Sequence, residues 1–157
     1  MKIGVLSDTH GRQLSLRRAI RAMKDVDLIF HLGDFITDAL YIEKTEEIPI
    51  IYVPGNCDYS TNVDSSKLYQ VKNNNIFLTH GHLYNVKYGY DDLIARARDL
   101  NVDIVLFGHT HIPKLFKVDD MLFINPGSLG IPPHGYKPTY AILEIEDDKV
   151  KSHLKNL

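Results

Sequence analysis

The side chains able to hold a metal ion collect at the ends of short apolar runs. The run Ile3-Gly4-Val5-Leu6 stops at Ser7-Asp8-Thr9-His10, which sets an acid and an imidazole two positions apart. Leu28-Ile29-Phe30-His31-Leu32 ends in Gly33-Asp34, and Ile50-Ile51-Tyr52-Val53 ends in Pro54-Gly55-Asn56. Ile76-Phe77-Leu78-Thr79 runs into His80-Gly81-His82, and Ile104-Val105-Leu106-Phe107 into Gly108-His109-Thr110-His111. One Asp-x-His is a frequent accident, since either residue could cap a helix. Five run ends delivering Asp8, His10, Asp34, Asn56, His80, His109 and His111 are not an accident.

Carboxylate, amide and imidazole ligands with no thiolate cluster suit Mn, Fe, Co, Ni or Zn in a catalytic role. So many imidazoles argue against Mg or Ca, which prefer oxygen shells. Seven ligands exceed one tetrahedral ion and match two ions that share a residue. A carboxylate is the natural bridge, because its two oxygens can each hold an ion at a separation of roughly 3.5–4 Å. Such a pair activates water and neutralises charge on a transferring phosphoryl group.

Buried strands ending in polar loops would place these residues at the carboxyl ends of a sheet, where α/β proteins bind ligands. Between the runs, Leu16, Ala19, Ile20 and Met23 recur at helical spacing and predict an amphipathic helix over 12–24, with its arginines on a solvated face. A short helix is expected from Ile36 to Glu46 and another from Tyr90 to Leu100, with Asp91 and Asp92 in its first turn. The polar stretch Asp58–Ser66 reads as a loop, and Lys67–Val71 with Ile76–Thr79 as a hairpin turning at Asn73-Asn74-Asn75. Beyond residue 107 the texture changes to strands without helices, at Lys114–Val118, Met121–Asn125, Tyr140–Ile145 and Val150–His153. Turns at Asp119-Asp120 and Asp147-Asp148 join them in antiparallel pairs. One sheet can hardly hold both textures with its faces covered, so two sheets packed face to face with helices outside are expected. The Gly/Pro-rich segment Asn125–Gly135 reads as an ordered loop beside the site.

A chain of 157 residues fits one domain, 1–157, with one core. With 18 basic and 20 acidic residues the formal charge is −2, so no stable nucleic-acid complex is expected. The one cysteine, Cys57, forbids an internal disulfide and fits a reducing compartment. No apolar stretch approaches a membrane span, so a cytoplasmic location without membrane contact is expected, and a homo-oligomer is compatible with the sequence.

In order, Asp8-x-His10, Gly33-Asp34, Gly55-Asn56, His80 and Gly108-His109-x-His111 resemble the ligand set of the calcineurin-like metallophosphoesterases. The small size and the ending Asn125-Pro126-Gly127-Ser128 followed by antiparallel strands are similar to the compact YfcE-type phosphodiesterase branch, over about residues 1 to 145. The resemblance implies an α/β fold, a four-layer α/β/β/α sandwich of two mixed sheets. It implies two divalent transition-metal ions, Mn2+ by preference, with Ni2+, Co2+, Fe2+ or Zn2+ as alternatives. Asp8, His10 and His111 would hold the first, Asn56, His80 and His109 the second, and Asp34 would bridge. The implied activity is hydrolysis of a small phosphodiester by a metal-bridging hydroxide, with Asp34, Asn56, Asp58 and His82 as the catalytic set. Many relatives place a histidine after the metal-binding Asn, where this chain has Cys57, and a thiol cannot carry imidazolium charge. That departure favours a diester over a phosphomonoester. A non-catalytic scaffold resembling the retromer subunit of this fold is the rival, and retention of all seven ligand types argues against it.

Single residues complete the reading. His31, inside a strand, is expected in the core, and His82 competes with His80 but belongs near the substrate. Asp58 is expected to orient a neighbour, Asp38 to sit on a helix surface, and His134 and His153 to be exposed. Among the arginines only Arg12, near the ligand loop, keeps a functional reading.

Overall fold

Along the first strand Ile3 and Val5 point one way and Gly4 and Leu6 the other, and all four are buried. A strand apolar on both faces requires cover on both faces, and the layers supply it. The computed structural model describes residues 1–59, 61–147 and 149–157. Among these, the elements run β1 (Lys2–Leu6), α1 (Gln13–Ala22), β2 (Leu28–His31), α2 (Ile36–Thr45), β3 (Ile50–Tyr52), β4 (Ser66–Val71), β5 (Asn74–Thr79), α3 (Asp91–Asp99), β6 (Ile104–Leu106), β7 (Lys114–Val118), β8 (Met121–Asn125), β9 (Thr139–Glu146) and β10 (Lys149–Asn156). A 3-10 turn occupies His82–Tyr84.

The strands form two mixed five-stranded sheets, ordered β10-β9-β1-β2-β3 and β4-β5-β6-β8-β7. Between them lies one apolar layer, with Ile3, Val5, Leu28 and Phe30 meeting Ile76, Leu78, Ile104 and Leu106. Phe30 packs edge-on against Tyr69 of β4 across this layer, with ring centroids 5.4 Å apart. On the outer face of the first sheet, Leu6 and Ile29 pack under Leu16, Ala19 and Ile20 of α1 and Ile42 of α2. Gly4 lets α1 lie close, since a Cβ there would come within 2.6 Å of Met23 Sδ. On the far face of the second sheet, Phe77, Val105 and Phe123 take up Leu93 and Ala97 of α3. The expected four-layer α/β/β/α arrangement is thus the observed one.

β1, β2 and β3 are mutually parallel, as are β5 and β6 in the other sheet. Their carboxyl ends therefore emerge along common edges, which brings the five loops into one place. The antiparallel textures beyond residue 107 separate. β8 adds to the second sheet parallel to β6, whereas β9 crosses to the first and pairs antiparallel with β1, Ile3 opposite Leu143.

Some local expectations shift. The hairpin turns at Lys72-Asn73, with Lys72 at φ 51, and Asn74 and Asn75 already pair with Val71 and Gln70. The first helix is shorter than 12–24 at both ends. Asp38 is not on a helix surface: it is 2% exposed and faces the β1 loop. Ser60 of the predicted loop and Asp148 of the predicted turn lie outside the described residues, although Glu146 and Lys149 pair across the latter. No helix among the described residues is long and apolar enough to cross a membrane.

Candidate metal centre

Each of the seven predicted ligands leaves a rigid strand within a few residues, and five do so on strained backbone. Asp8, His10, Asp34, His109 and His111 all have positive φ, between 46 and 68 degrees. Side chains other than glycine rarely adopt that region, and clusters of such residues mark functional loops. The sharp reversals turn consecutive polar side chains into one volume.

The chain brings all seven together. Ligand atoms of Asp8, His10, Asp34 and His111 lie within 4.8 Å of one another. On the other side of Asp34, His80 Nε2 stands 3.5 Å from Asp34 Oδ1 and 3.2 Å from Asn56 Oδ1, and the His109 ring lies 5.1 Å from that of His80. Asp34 Oδ2 faces the first group, 3.5 Å from His10 Nε2. One carboxylate thus presents one oxygen to each group.

The tautomers follow from backbone carbonyls, which can only accept. His80 Nδ1 donates to Leu32 O at 2.7 Å, and His111 Nδ1 donates to Ile131 O at 2.8 Å. In the neutral imidazole each Nε2 then carries a lone pair aimed into the cluster, the orientation that metal-bound histidines take. His111 Nε2 comes within 3.1 Å of Asp8 Oδ1, and Asn56 Oδ1 faces His80 Nε2, so acceptors confront acceptors. Asp8 Oδ1, His10 Nε2 and His82 Nδ1 are buried without a hydrogen-bond partner. Each such atom costs about 1–3 kcal/mol unless something positive meets it. This set of nitrogen and oxygen donors fits divalent metal ions.

Electrostatics agree. Burial acts to raise the Asp8 carboxyl, but the imidazoles of His111 and His80 outweigh it and leave the group below its ordinary value. His111 is raised, first by its contact with Asp8. A lowered carboxyl beside a raised imidazole is the signature of an ion pair, in which the Asp8 carboxylate and a positive charge at His111 Nε2 stabilise each other. Burial and the neighbouring His80 push His109 down to about 4 and lower His82 as well, which keeps both imidazoles neutral and available as lone-pair donors.

Other side chains hold the loops. Asp58 Oδ1 accepts from the N–H groups of Phe35 and Ile36 at 3.0 and 2.8 Å, and Oδ2 accepts from Gly55 N at 2.9 Å. It therefore clamps the Asp34 and Asn56 loops together and does not face the cluster. Gly55 has no room for a Cβ, which would overlap Asp34 Oδ1. His82 lies at the rim, its ring 5.4 Å from His80 and 6.0 Å from His109. Arg12 and His134 are exposed.

Several further groups position the loops, and of these Asp38 has no local signal in the sequence. Asp38 accepts from Gly11 N and Gln13 Nε2, both at 2.9 Å, and so pins the His10 loop. Ser128 Oγ donates to Asp8 O at 2.8 Å, and Asn125 Nδ2 donates to Gly108 O at 2.9 Å. His31 completes a relay. Gly33 N donates to its Nδ1 at 3.3 Å, its Nε2 meets Thr9 Oγ1 at 3.0 Å, and Thr9 Oγ1 donates to Asp34 O at 3.2 Å.

Comparison with known proteins decides the family. The model of the calcineurin-like phosphoesterase superfamily domain matches residues 1–148. The chain belongs to this superfamily. The family implies divalent metal ions, for which the cluster described above is the candidate site. The probable metallophosphoesterase YsnB of Bacillus subtilis is 34% identical over 94% of this chain and 86% of its own length. Phosphodiesterase MJ0936 of Methanocaldococcus jannaschii is 33% identical over 93% and 94%, and phosphodiesterase YfcE of Escherichia coli 28% identical over 92% and 88%. A crystal structure of a predicted phosphoesterase from Streptococcus pneumoniae superposes with TM-score 0.84 at 30% identity, covering 99% of this chain and 88% of that one. Vps29 from Entamoeba histolytica, crystallised with Zn2+, superposes with TM-score 0.78 over 99% of each chain, and at 23% identity shows the shared fold alone.

The His31 relay needs a neutral ring, because a proton on Nδ1 would face the Gly33 N–H. Burial pushes its pKa down to about 4, against opposition from Asp38 and Asp58. The unfolded chain takes up this proton near 6.5, so between the two values it binds more protons than the folded chain. Stability is full above that window and falls as pH drops through it, by at most about 3.5 kcal/mol at about 1.4 kcal/mol per unit. Urea denaturation of His31→Gln between these pH values is expected to show a flatter pH dependence than the native chain. Equal slopes would show that His31 contributes nothing to the acid sensitivity.

Proposed function

We propose that the chain is a dinuclear metal-dependent phosphoesterase acting on small phosphodiesters. The carrying observation is the Asp34 carboxylate, with Oδ2 turned to His10 and Oδ1 to His80. In this reading Asp8, His10 and His111 hold one ion, Asn56, His80 and His109 the other, and Asp34 bridges. When bound, such a pair supplies activation of water and Lewis-acid neutralisation of phosphoryl charge. Asn56 is exposed and His82 half-buried, so the protein's own groups nearest the solvent side can orient the phosphate.

The diester preference rests on what stands beside the phosphate. Burial, then the nearby Asp34, push the Cys57 thiol up to about 11, so it is neutral at physiological pH. A neutral thiol supplies neither a cationic charge nor a ready proton to a departing alkoxide. Substrates whose leaving group needs little protonation are then turned over best, and relatives named phosphodiesterases support the same choice. The fold shared with Vps29 keeps a protein-binding scaffold as the second reading, favoured by the exposed apolar side chains Phe35, Leu83, Ile112 and Ile131 on the loops around the cluster.

Chelation should abolish hydrolysis of bis(p-nitrophenyl) phosphate, and Mn2+, Ni2+ or Co2+ should restore it better than Mg2+. Strong turnover with Mg2+ alone would contradict the histidine-rich shell, and no turnover with any ion would favour the scaffold. The diester should be hydrolysed faster than p-nitrophenyl phosphate under the same conditions. Asp34→Asn should lose more activity than any other ligand change. A clearly larger loss in Asp8→Asn would remove the bridging assignment. Cys57→Ala should keep diester turnover within about tenfold, or about 1.4 kcal/mol of barrier. A loss beyond about a hundredfold at unchanged metal content would show that the thiol takes part.

A further inference from the structure

A cavity of about 560 Å³ opens between the start of α2 and the segment after Asn56, lined among others by Phe35, Thr37, Leu40, Cys57, Tyr59 and Asn62. It shares walls with the metal cluster. The Phe35 ring lies 5.5 Å from that of His10, and the Cys57 N–H donates to Asp34 Oδ1 at 2.9 Å. A group attached to a phosphate at the cluster can therefore reach the cavity directly.

The lining sets the chemistry of that group. Among the described residues no lysine, arginine or histidine lines the cavity, and its one carboxylate, Asp58, is engaged by three backbone N–H groups. A second anionic group would find no counter-charge. Phe35, Ile36 and Leu40 offer apolar surface, whereas Thr37, Thr61 and Asn62 offer hydroxyls and an amide at the same walls. The volume lies within the roughly 300–1,000 Å³ usual for small-molecule sites.

Phe35 itself is the second observation. It sits at φ 77 and ψ 66, a left-handed conformation that suits glycine and opposes a bulky side chain. Asp58 holds this backbone, and the ring, 38% exposed, lies beside His10 and lines the cavity. Strain kept at such a position points to use of the ring.

We infer that this cavity is the subsite for one ester group of the diester, a neutral organic group with a flat apolar face, up to the size of a nucleoside. The inference rests on the phosphodiesterase reading and adds the class of substrate to it. It makes phosphoesters that carry additional anionic groups on that side poor substrates.

The test uses the metal-loaded chain and three diesters with the same p-nitrophenolate leaving group, whose second ester group is methyl, phenyl or 5′-thymidyl. The phenyl or thymidyl ester should exceed the methyl ester in kcat/KM by at least about tenfold, the scale of a modest apolar pocket contact. The phenyl and thymidyl arms separate a purely apolar preference from one that also uses the polar edge. Thr37→Trp, at an exposed position in the first turn of α2, should fill the cavity and remove the preference, so that the three esters converge in kcat/KM. Independently of turnover, millimolar thymidine added to the metal-free chain should shift the methyl resonances of Ile36, Thr37 and Leu40. Equal kcat/KM across the three esters, or a preference unchanged in Thr37→Trp, would overturn the subsite while leaving the phosphodiesterase reading intact. No hydrolysis of any ester together with shifted resonances would overturn the phosphodiesterase reading and leave the cavity as a binding site.

Discussion

Lone pairs that face one another without hydrogens between them are the constraint on which this structure turns. Asp8 Oδ1, His10 Nε2 and His82 Nδ1 have no partner, and His80 and His111 aim their Nε2 atoms at oxygens. Buried polar atoms held in this way disfavour the fold unless something positive meets them. A fold can keep such a cluster only if its frame is rigid and a cation offsets the repulsion. The binding free energy of that cation then adds to folding.

The frame meets the first requirement. Three parallel strand ends in one sheet and two in the other fix where the loops begin, and the inter-sheet layer around Phe30, Leu78 and Leu106 packs the two sheets together. Within the loops, Asp58, Asp38, Ser128 and Asn125 satisfy backbone groups that the reversals at positive φ would otherwise leave unpaired. The same clamp of Asp58 that seats Asp34 also holds Phe35 in its disfavoured conformation. Metal cluster and neighbouring cavity therefore depend on one carboxylate.

Much of this was legible in the sequence because the informative pattern is local. An apolar run buried on both faces and ended by Gly-Asp, Gly-Asn or His-x-His reveals a strand, its end and its cargo together. Residues whose role depends on distant partners were not legible. Asp38 resembles any acid in the first turn of a helix, and only the approach of Gly11 makes it buried. Phe35 gives no sign of a left-handed backbone, since local propensity would place glycine there. The crossing of β9 to pair with β1 joins residues about 140 positions apart, which no periodicity can report. The hairpin turn was misplaced because Asn74 and Asn75 have turn-like chemistry but sit on a strand opposite Gln70 and Val71.

The central claim is that two ions share Asp34, and anomalous scattering from crystals grown with Mn2+ tests it most directly. Two peaks roughly 3.5–4 Å apart are expected. One should be bounded by Asp8, His10 and His111, the other by Asn56, His80 and His109, with Asp34 contacting both. A single peak at saturating Mn2+, or two peaks with Asp34 bound to only one, would contradict the shared-carboxylate centre.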